Sequence, residues 1–150
     1  MRKKIKIVTY DRSHGKEIIL REMDRRALFG GDQEEVFAAL NSRGELWTCL
    51  VDTRVAFIYG VVLLWTGVAE LVAATSEIVE QIPDVFTGIV RSYSDAMVEK
   101  YRLHRLQAQV FDFNERSMRW AEKRLGFEFE AILKAYGPGR EDIYSYRRII

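Results

Sequence analysis

The stretch Arg105 to Phe127, RLQAQVFDFNERSMRWAEKRLGF, constrains the chain most, because it spells out a strand, a helix start and a helix stop in succession. In Arg105 to Phe111 the apolar Leu106, Ala108 and Val110 alternate with Arg105, Gln107 and Gln109. That period of two sends alternate side chains to opposite faces, so the segment is predicted to be a strand buried on one face. Asn114 follows. Its side-chain oxygen can accept a bond from an amide of the first helical turn, and Glu115 brings negative charge to the positive end of the helix. Met118, Ala121 and Leu125 then recur on one helical face, Lys123 and Arg124 suit the last turn, and Gly126 is the natural stop. Phe127 begins a new strand.

With 150 residues, 48% hydrophobic and 30% charged, the chain has the size and balance of a single soluble domain with a substantial core. A formal net charge of +1 supplies no general attraction for nucleic acid or an anionic membrane. Cys49, in LWTCLV, is the only cysteine. It excludes an intramolecular disulfide and a cysteine-based metal site, fits a reducing compartment and reads as a small core residue. The opening MRKKIKIVTYDR has a basic start without the apolar centre of an export signal, and reads as a first strand. The run Phe57 to Ala74, FIYGVVLLWTGVAELVAA, is nearly long enough to cross a membrane and has only Glu70 charged. Its valines and aromatics, and the turn residues Thr66-Gly67 at its middle, fit two buried strands of a hairpin better.

In chain order, a strand over Lys4 to Tyr10 leads to a helix from about His14 to Leu28, on which Ile19, Met23 and Ala27 recur. Gly30-Gly31 ends it. Asp32 caps a second helix, with Glu35 as the partner of a capping box and Val36, Phe37 and Leu40 inward. Strands follow at Leu46 to Val51, Val55 to Trp65 and Val68 to Thr75, joined by turns short enough for antiparallel hairpins. Pro83 starts a helix running to Tyr101, with Phe86, Ile89, Val90, Tyr93, Met97 and Tyr101 as its apolar stripe. After the Arg105 strand and the Asn114 helix, Phe127, Phe129, Ala131 and Leu133 alternate with polar residues, and Gly137-Pro138-Gly139 turns the chain into a last strand, Asp142 to Ile149. The predicted class is α+β, a mixed, mostly antiparallel sheet flanked by helices, in the order β-α-α-β-β-β-α-β-α-β-β.

This order, with the β-Asn-helix-Gly-Phe unit of Asn114 to Phe127, resembles the GNAT superfamily of acyl-CoA-dependent N-acyltransferases. The resemblance implies a site for acetyl-CoA. Backbone groups of Leu71, Val72 and Ala73 would hold the pantetheine, Asn114 would line the acyl-CoA cleft, and the diphosphate would sit on a Gln/Arg-x-x-Gly-x-Gly/Ala loop before the third helix. Glycines let a backbone approach phosphates, and the helix N-terminus favours the anion. Here that stretch is TSEIVEQIPDVFTG, Thr75 to Gly88, with no glycine before Gly88 and with Glu77, Glu80 and Asp84 where phosphates would arrive. Gln81 is the one residue matching the loop. A second departure is Ala121, seven residues after Asn114, where family enzymes often carry a tyrosine that protonates the departing thiolate; Trp120 donates a hydrogen bond but is no proton source. The segment also has one residue more than usual before Gly126.

Glu70 is the single charged residue in VAELVAA, and burial would raise a carboxyl there toward the range of a general base; the alternatives are that it faces solvent or pairs with an arginine. His14 and His104 have no companions at ligand or triad spacing and read as surface residues, and no metal site is expected. Arg21, Arg25 and Arg26, interleaved with Glu22 and Asp24, read as solvated ion pairs.

The block AELVAATSEIVEQIPDVFTGIVRSYSDAM, followed by HRLQAQVFDFNERSMRWAEKRLGF, is similar to the GNAT-like proteins of tailed bacteriophages, some of them virion-associated. In those relatives too the glycine loop gives way to a polar turn, a proline and a phenylalanine, as at Pro83 to Phe86, and a tryptophan lies on the final helix, as at Trp120. This resemblance implies a GNAT scaffold that needs no cofactor and acts as a structural or interaction protein, with phage or host proteins as partners and the host cytoplasm or the virion as its location. The competing expectation is an N-acetyltransferase that uses acetyl-CoA and an unidentified amine, with Glu70 acting through water. A binder of another small molecule in the same cleft is a third. No nucleic acid or membrane span is expected, and a homo-oligomer is compatible with either reading.

Overall fold

The strand expected at Arg105 to Phe111 is present with those bounds, and its side chains alternate half-buried and buried along its length. It is β5 in a computed structural model that describes residues 2–150. The other strands are β1 (Ile5–Thr9), β2 (Gly44–Val51), β3 (Arg54–Trp65), β4 (Val68–Thr75), β6 (Glu128–Leu133) and β7 (Ile143–Ile149). The helices are α1 (Arg12–Glu17), α2 (Glu22–Arg26), α3 (Gln33–Ser42), α4 (Pro83–Lys100) and α5 (Glu115–Arg119). All seven strands join one sheet in the order β1-β2-β3-β4-β5-β7-β6. The β4–β5 pair is parallel, whereas β1–β2, β2–β3, β5–β7 and β6–β7 are antiparallel.

By its contacts the chain divides into two units, Met1–Val62 with Val72–Phe86, and Leu63–Leu71 with Thr87–Ile150. The first is built on the hairpin of β2 and β3, whose turn puts Asp52 and Thr53 at positive φ. Ile18, Leu20, Phe37, Leu46, Val55 and Ile58 form a buried cluster there, and the Phe57 and Phe86 rings meet edge to face at 4.7 Å. In the second unit Leu106, Ala108 and Val110 of β5 are buried, as are Val90 and Met97 of α4 and Tyr146 of β7. The apolar run from Phe57 to Ala74 is thus two strands, and among the described residues no helix is long and apolar enough to cross a membrane. Cys49 is fully buried.

Three expectations are corrected. The helix foreseen from His14 to Leu28 is broken into α1 and α2, because Ile18 to Arg21 is extended: Leu20 bridges Ser76 antiparallel and the Arg21 amide donates to the Thr75 carbonyl at 2.9 Å. Ile18 and Leu20 turn inward while Ile19, assigned to the apolar face, is 80% exposed, a period of two rather than four. Arg21 and Asp24 are consequently no solvated pairs but part of a half-buried polar cluster around the buried Thr75. In β6 the register shifts between Phe129 and Ala131, so Phe129 opposes Tyr146 while Ala131 opposes Ser145. Tyr146 and Ser145 are adjacent on β7 and point to opposite faces, so the expected single face of Phe129, Ala131 and Leu133 does not exist. Phe129 is half exposed against Tyr144 and Tyr146. Lastly, the residue in excess before Gly126 is absorbed by a π-helical turn, Trp120–Arg124, in which the Leu125 amide reaches back to the Trp120 carbonyl at 3.0 Å.

Candidate functional site

Glu70, Leu71, Val72 and Ala73 are consecutive on β4. The parallel ladder to β5 comprises Val68↔Arg105, Ala69↔Leu106 and Glu70↔Gln107, and ends there, so Leu71 to Thr75 run on past its last rung. Leu71 is buried, and Val72 and Ala73 are half-buried. Glu70, itself half-buried, accepts a hydrogen bond from Gln107 Nε2 at 3.0 Å. Gln107 Oε1 accepts from Arg105 Nε at 3.0 Å, and the Arg105 guanidinium grips both carboxylate oxygens of Glu130 at 3.0 and 2.5 Å. The fork of charge-assisted bonds from Arg105 holds the Glu130 carboxyl below its usual range. Sequence reasoning singled out Glu70 and missed its three companions. Alternation placed Arg105 and Gln107 on one face of β5, but Glu130 reaches that network from the irregularity in β6, which no periodicity announces.

A second polar cluster closes the end of β4 in the first unit. Asp24 accepts from the Thr75 amide at 2.8 Å and from Thr75 Oγ1 at 2.5 Å, and Arg21 Nε donates to the same hydroxyl at 2.7 Å. Arg21 also approaches Glu80 at 3.6 Å. Burial pushes the Asp24 carboxyl up, against the opposing pull of the two Thr75 bonds and of Arg21.

The stretch beyond Thr75 is the one to which the resemblance assigns the diphosphate of an acyl-CoA. It is a 3-10 helix, Glu77–Gln81, capped by Ser76, whose side chain accepts from the Ile78 amide. The Ser76 amide donates to the Ala56 carbonyl, that of Val79 to Ser76 and that of Ile82 to Val79. Pro83 has no amide hydrogen. Glu77 and Glu80 are exposed on this turn, and Gln81 is engaged by Lys3 Nζ at 2.8 Å. The segment therefore departs from a glycine-loop phosphate cradle: the amides of Ser76, Ile78, Val79 and Ile82 are bonded within the chain, no glycine opens the turn, and the exposed Glu77 and Glu80 are negative.

Asn114 caps α5 as expected, accepting from the Ser117 amide at 3.2 Å. Its side-chain oxygen is thereby engaged locally, and the described contacts assign it a capping role. Ala121 is buried, and the neighbouring Trp120 indole donates to the buried Thr87 hydroxyl at 3.0 Å. Ala121, where the resemblance expects a tyrosine, offers no acid group. His14 is the reciprocal member of a capping box on α1, its Nδ1 accepting from the Asp11 amide at 3.0 Å. Among the described residues no group of three or more His, Cys, Asp or Glu side chains is placed to hold a metal.

No protein family matches the chain, and no curated protein does. Solved structures do. The acetyltransferase of the GNAT family from Bacillus anthracis superposes with a TM-score of 0.73 over 97% of this chain and 94% of that one, at 13% identity. Ard1 from Thermoplasma volcanium gives a TM-score of 0.72 over 97% of each chain, at 16% identity. RimL, a ribosomal L7/L12 alpha-N-protein acetyltransferase solved in complex with coenzyme A, gives 0.69 over 97% of this chain and 94% of that one, at 15% identity. At such identities the likeness establishes the fold, and the fold is that of the GNAT acetyltransferases.

Proposed function

We propose that this chain is an acyl-CoA-dependent N-acetyltransferase whose acceptor is an amine. One observation carries the reading: the β4–β5 ladder ends at Glu70↔Gln107, so the carboxylate of Glu70 and the strand segment Leu71 to Ala73 stand together at its last rung. The GNAT fold and the acetyltransferases that share it support this reading. Leu71, Val72 and Ala73 would hold the pantetheine amides through their backbone, as strand edges hold extended ligands. Bound acyl-CoA would supply the acyl group as an activated thioester: the amine nitrogen would bond to the acyl carbon as the carbon–sulfur bond breaks, and the CoA thiolate would leave and take its proton from solvent, Ala121 offering no acid. Glu70 would take the proton from the attacking amine, directly or through water, and its half-buried setting keeps it in reach of solvent. The diphosphate is not gripped by a glycine loop here, so recognition would rest on the pantetheine.

The same turn favours a second reading. The lack of a glycine loop, the amides of Ser76, Ile78, Val79 and Ile82 bonded within the chain, and the exposed Glu77 and Glu80 suit a GNAT scaffold retained as an interaction protein, the role that similarity to phage proteins implies, with phage or host proteins as its partners. Calorimetric titration with acetyl-CoA separates the two. Micromolar binding, followed by acetyl transfer to an amine that falls by about 10²-fold or more in Glu70→Gln, supports the enzyme. No heat at millimolar ligand, about −4 kcal/mol or weaker, overturns it and favours the interaction protein.

A further inference from the structure

The amide of Gln107 sits between a cation and an anion, and that decides which way it points. Its carbonyl oxygen accepts from Arg105 Nε at 3.0 Å, so its NH2 group is the end presented to Glu70, which accepts at 3.0 Å. A side-chain amide flipped end for end would turn its NH2 group toward the guanidinium and its oxygen toward the carboxylate, two repulsive contacts in place of two bonds. Arg105 is fixed in turn. Glu130 holds two of its nitrogens, and the fork admits little rotation compared with a lysine ammonium. Glu130 lies at the irregularity of β6 between Phe129 and Ala131. The four side chains lie in one unit, on three strands, in unbroken succession.

We infer that Gln107, oriented by the Arg105–Glu130 pair, is a positioning residue for Glu70: it fixes the carboxylate at the last rung of the β4–β5 ladder and stabilises its ionised form. The inference rests on Glu70 being the base in the proposed acyl transfer, yet its physical content is measurable on the protein alone. The carboxyl of Glu70 can be followed by NMR in protein labelled with isotopic glutamate, its signal assigned by its disappearance in Glu70→Gln. A hydrogen-bond donor to a carboxylate favours the charged form. The Glu70 midpoint therefore rises above the wild-type value in Gln107→Met, and rises by less in Arg105→Lys, where the cation and the amide persist but the fork that holds the amide is lost. Gln107→Asn, a methylene short of the carboxylate, behaves like Gln107→Met and serves as the second variant should Met perturb folding. In the acyl-transfer assay Gln107→Met lowers kcat by about tenfold, part of the 10²- to 10⁴-fold that a positioned base supplies, leaves KM for acetyl-CoA unchanged, and moves the acidic limb of the pH profile upward.

A Glu70 midpoint unchanged in both Gln107 variants overturns the inference, as does a loss of thermal stability with no movement of the midpoint, which would mark Gln107 as merely structural. If the wild type transfers no acyl group, the enzyme reading fails while the titration still decides whether Gln107 and Arg105 set the state of Glu70.

Discussion

Asp24 shows how a single residue can be legible in type and illegible in role. Its neighbours in sequence, Glu22, Arg25 and Arg26, made it look like one charge of a solvated helix face. In the structure it receives both the amide and the hydroxyl of Thr75, a residue remote in sequence. Removing the acceptor strands two buried donors, so Asp24→Ala should destabilise the fold by about 1–3 kcal/mol in chemical denaturation. The pH dependence has a definite sign. Burial raises the folded carboxyl above its ordinary 3.8, so its contribution to stability is complete below that value and is lost as pH rises through the folded midpoint. Asp24→Asn, neutral at every pH, should therefore gain on the wild type as denaturation is moved from acid to neutral conditions; a constant difference would contradict the buried, protonation-coupled role. Cys49 was read correctly, because a lone small thiol in an apolar strand has one usual fate. Burial pushes its pKa up to about 11, so iodoacetamide at pH 8 should leave it unmodified in the native protein and label it in denaturant.

At the scale of elements, the strands and the long helix were readable because their periodicity extends over enough residues to outvote exceptions. Arg105–Phe111 and Val68–Thr75 carry the expected bounds, and Pro83–Lys100 stops one residue short of the expected Tyr101. Short elements escaped. Ile18-Ile19-Leu20 offers an apolar residue to either period, and the contact of Leu20 with Ser76 selected the extended one. The π-turn at Trp120–Arg124 had a visible trace, the surplus residue before Gly126, but its form depended on what the helix had to reach: the Trp120 indole meets Thr87 and Ala121 turns inward. The β3–β4 turn illustrates an element whose geometry demands its residue. Gly67 has φ of +81, and its carbonyl accepts the amides of His104 and Arg105, tying the turn to the start of β5. A Cβ there would lie 2.3 Å from the exposed His104 ring, which can swing aside, whereas the left-handed backbone cannot relax. Gly67→Ala should cost about 1–2 kcal/mol, the penalty of a left-handed L-residue, and should speed hydrogen exchange at Leu106 and Gln107.

At the scale of the whole molecule, the GNAT fold and the chemistry of the Glu77–Gln81 turn point in different directions, and charge provides the test. If CoA phosphates approach the turn of Glu77–Gln81, Glu77→Gln should tighten acetyl-CoA binding a few-fold in calorimetry, with the gain shrinking as salt is added. Glu80→Gln is the less clean change, since Glu80 lies 3.6 Å from the Arg21 guanidinium that also serves Thr75. The succession of the strands, the buried face of β5, the cap at Asn114 and the absence of a glycine loop were all determined by the sequence itself, since each depends on neighbours within a few positions: the alternation of apolar side chains, one amide's reach to a cap, or the presence of a residue lacking Cβ. The partnership of Glu70 with Gln107, Arg105 and Glu130, and that of Asp24 with Thr75, were decided only by the tertiary structure. Hydrogen bonds between side chains on different strands depend on register, and register in turn depends on ladder ends and on single-residue shifts such as the one beside Glu130, which leave no period behind them in the chain.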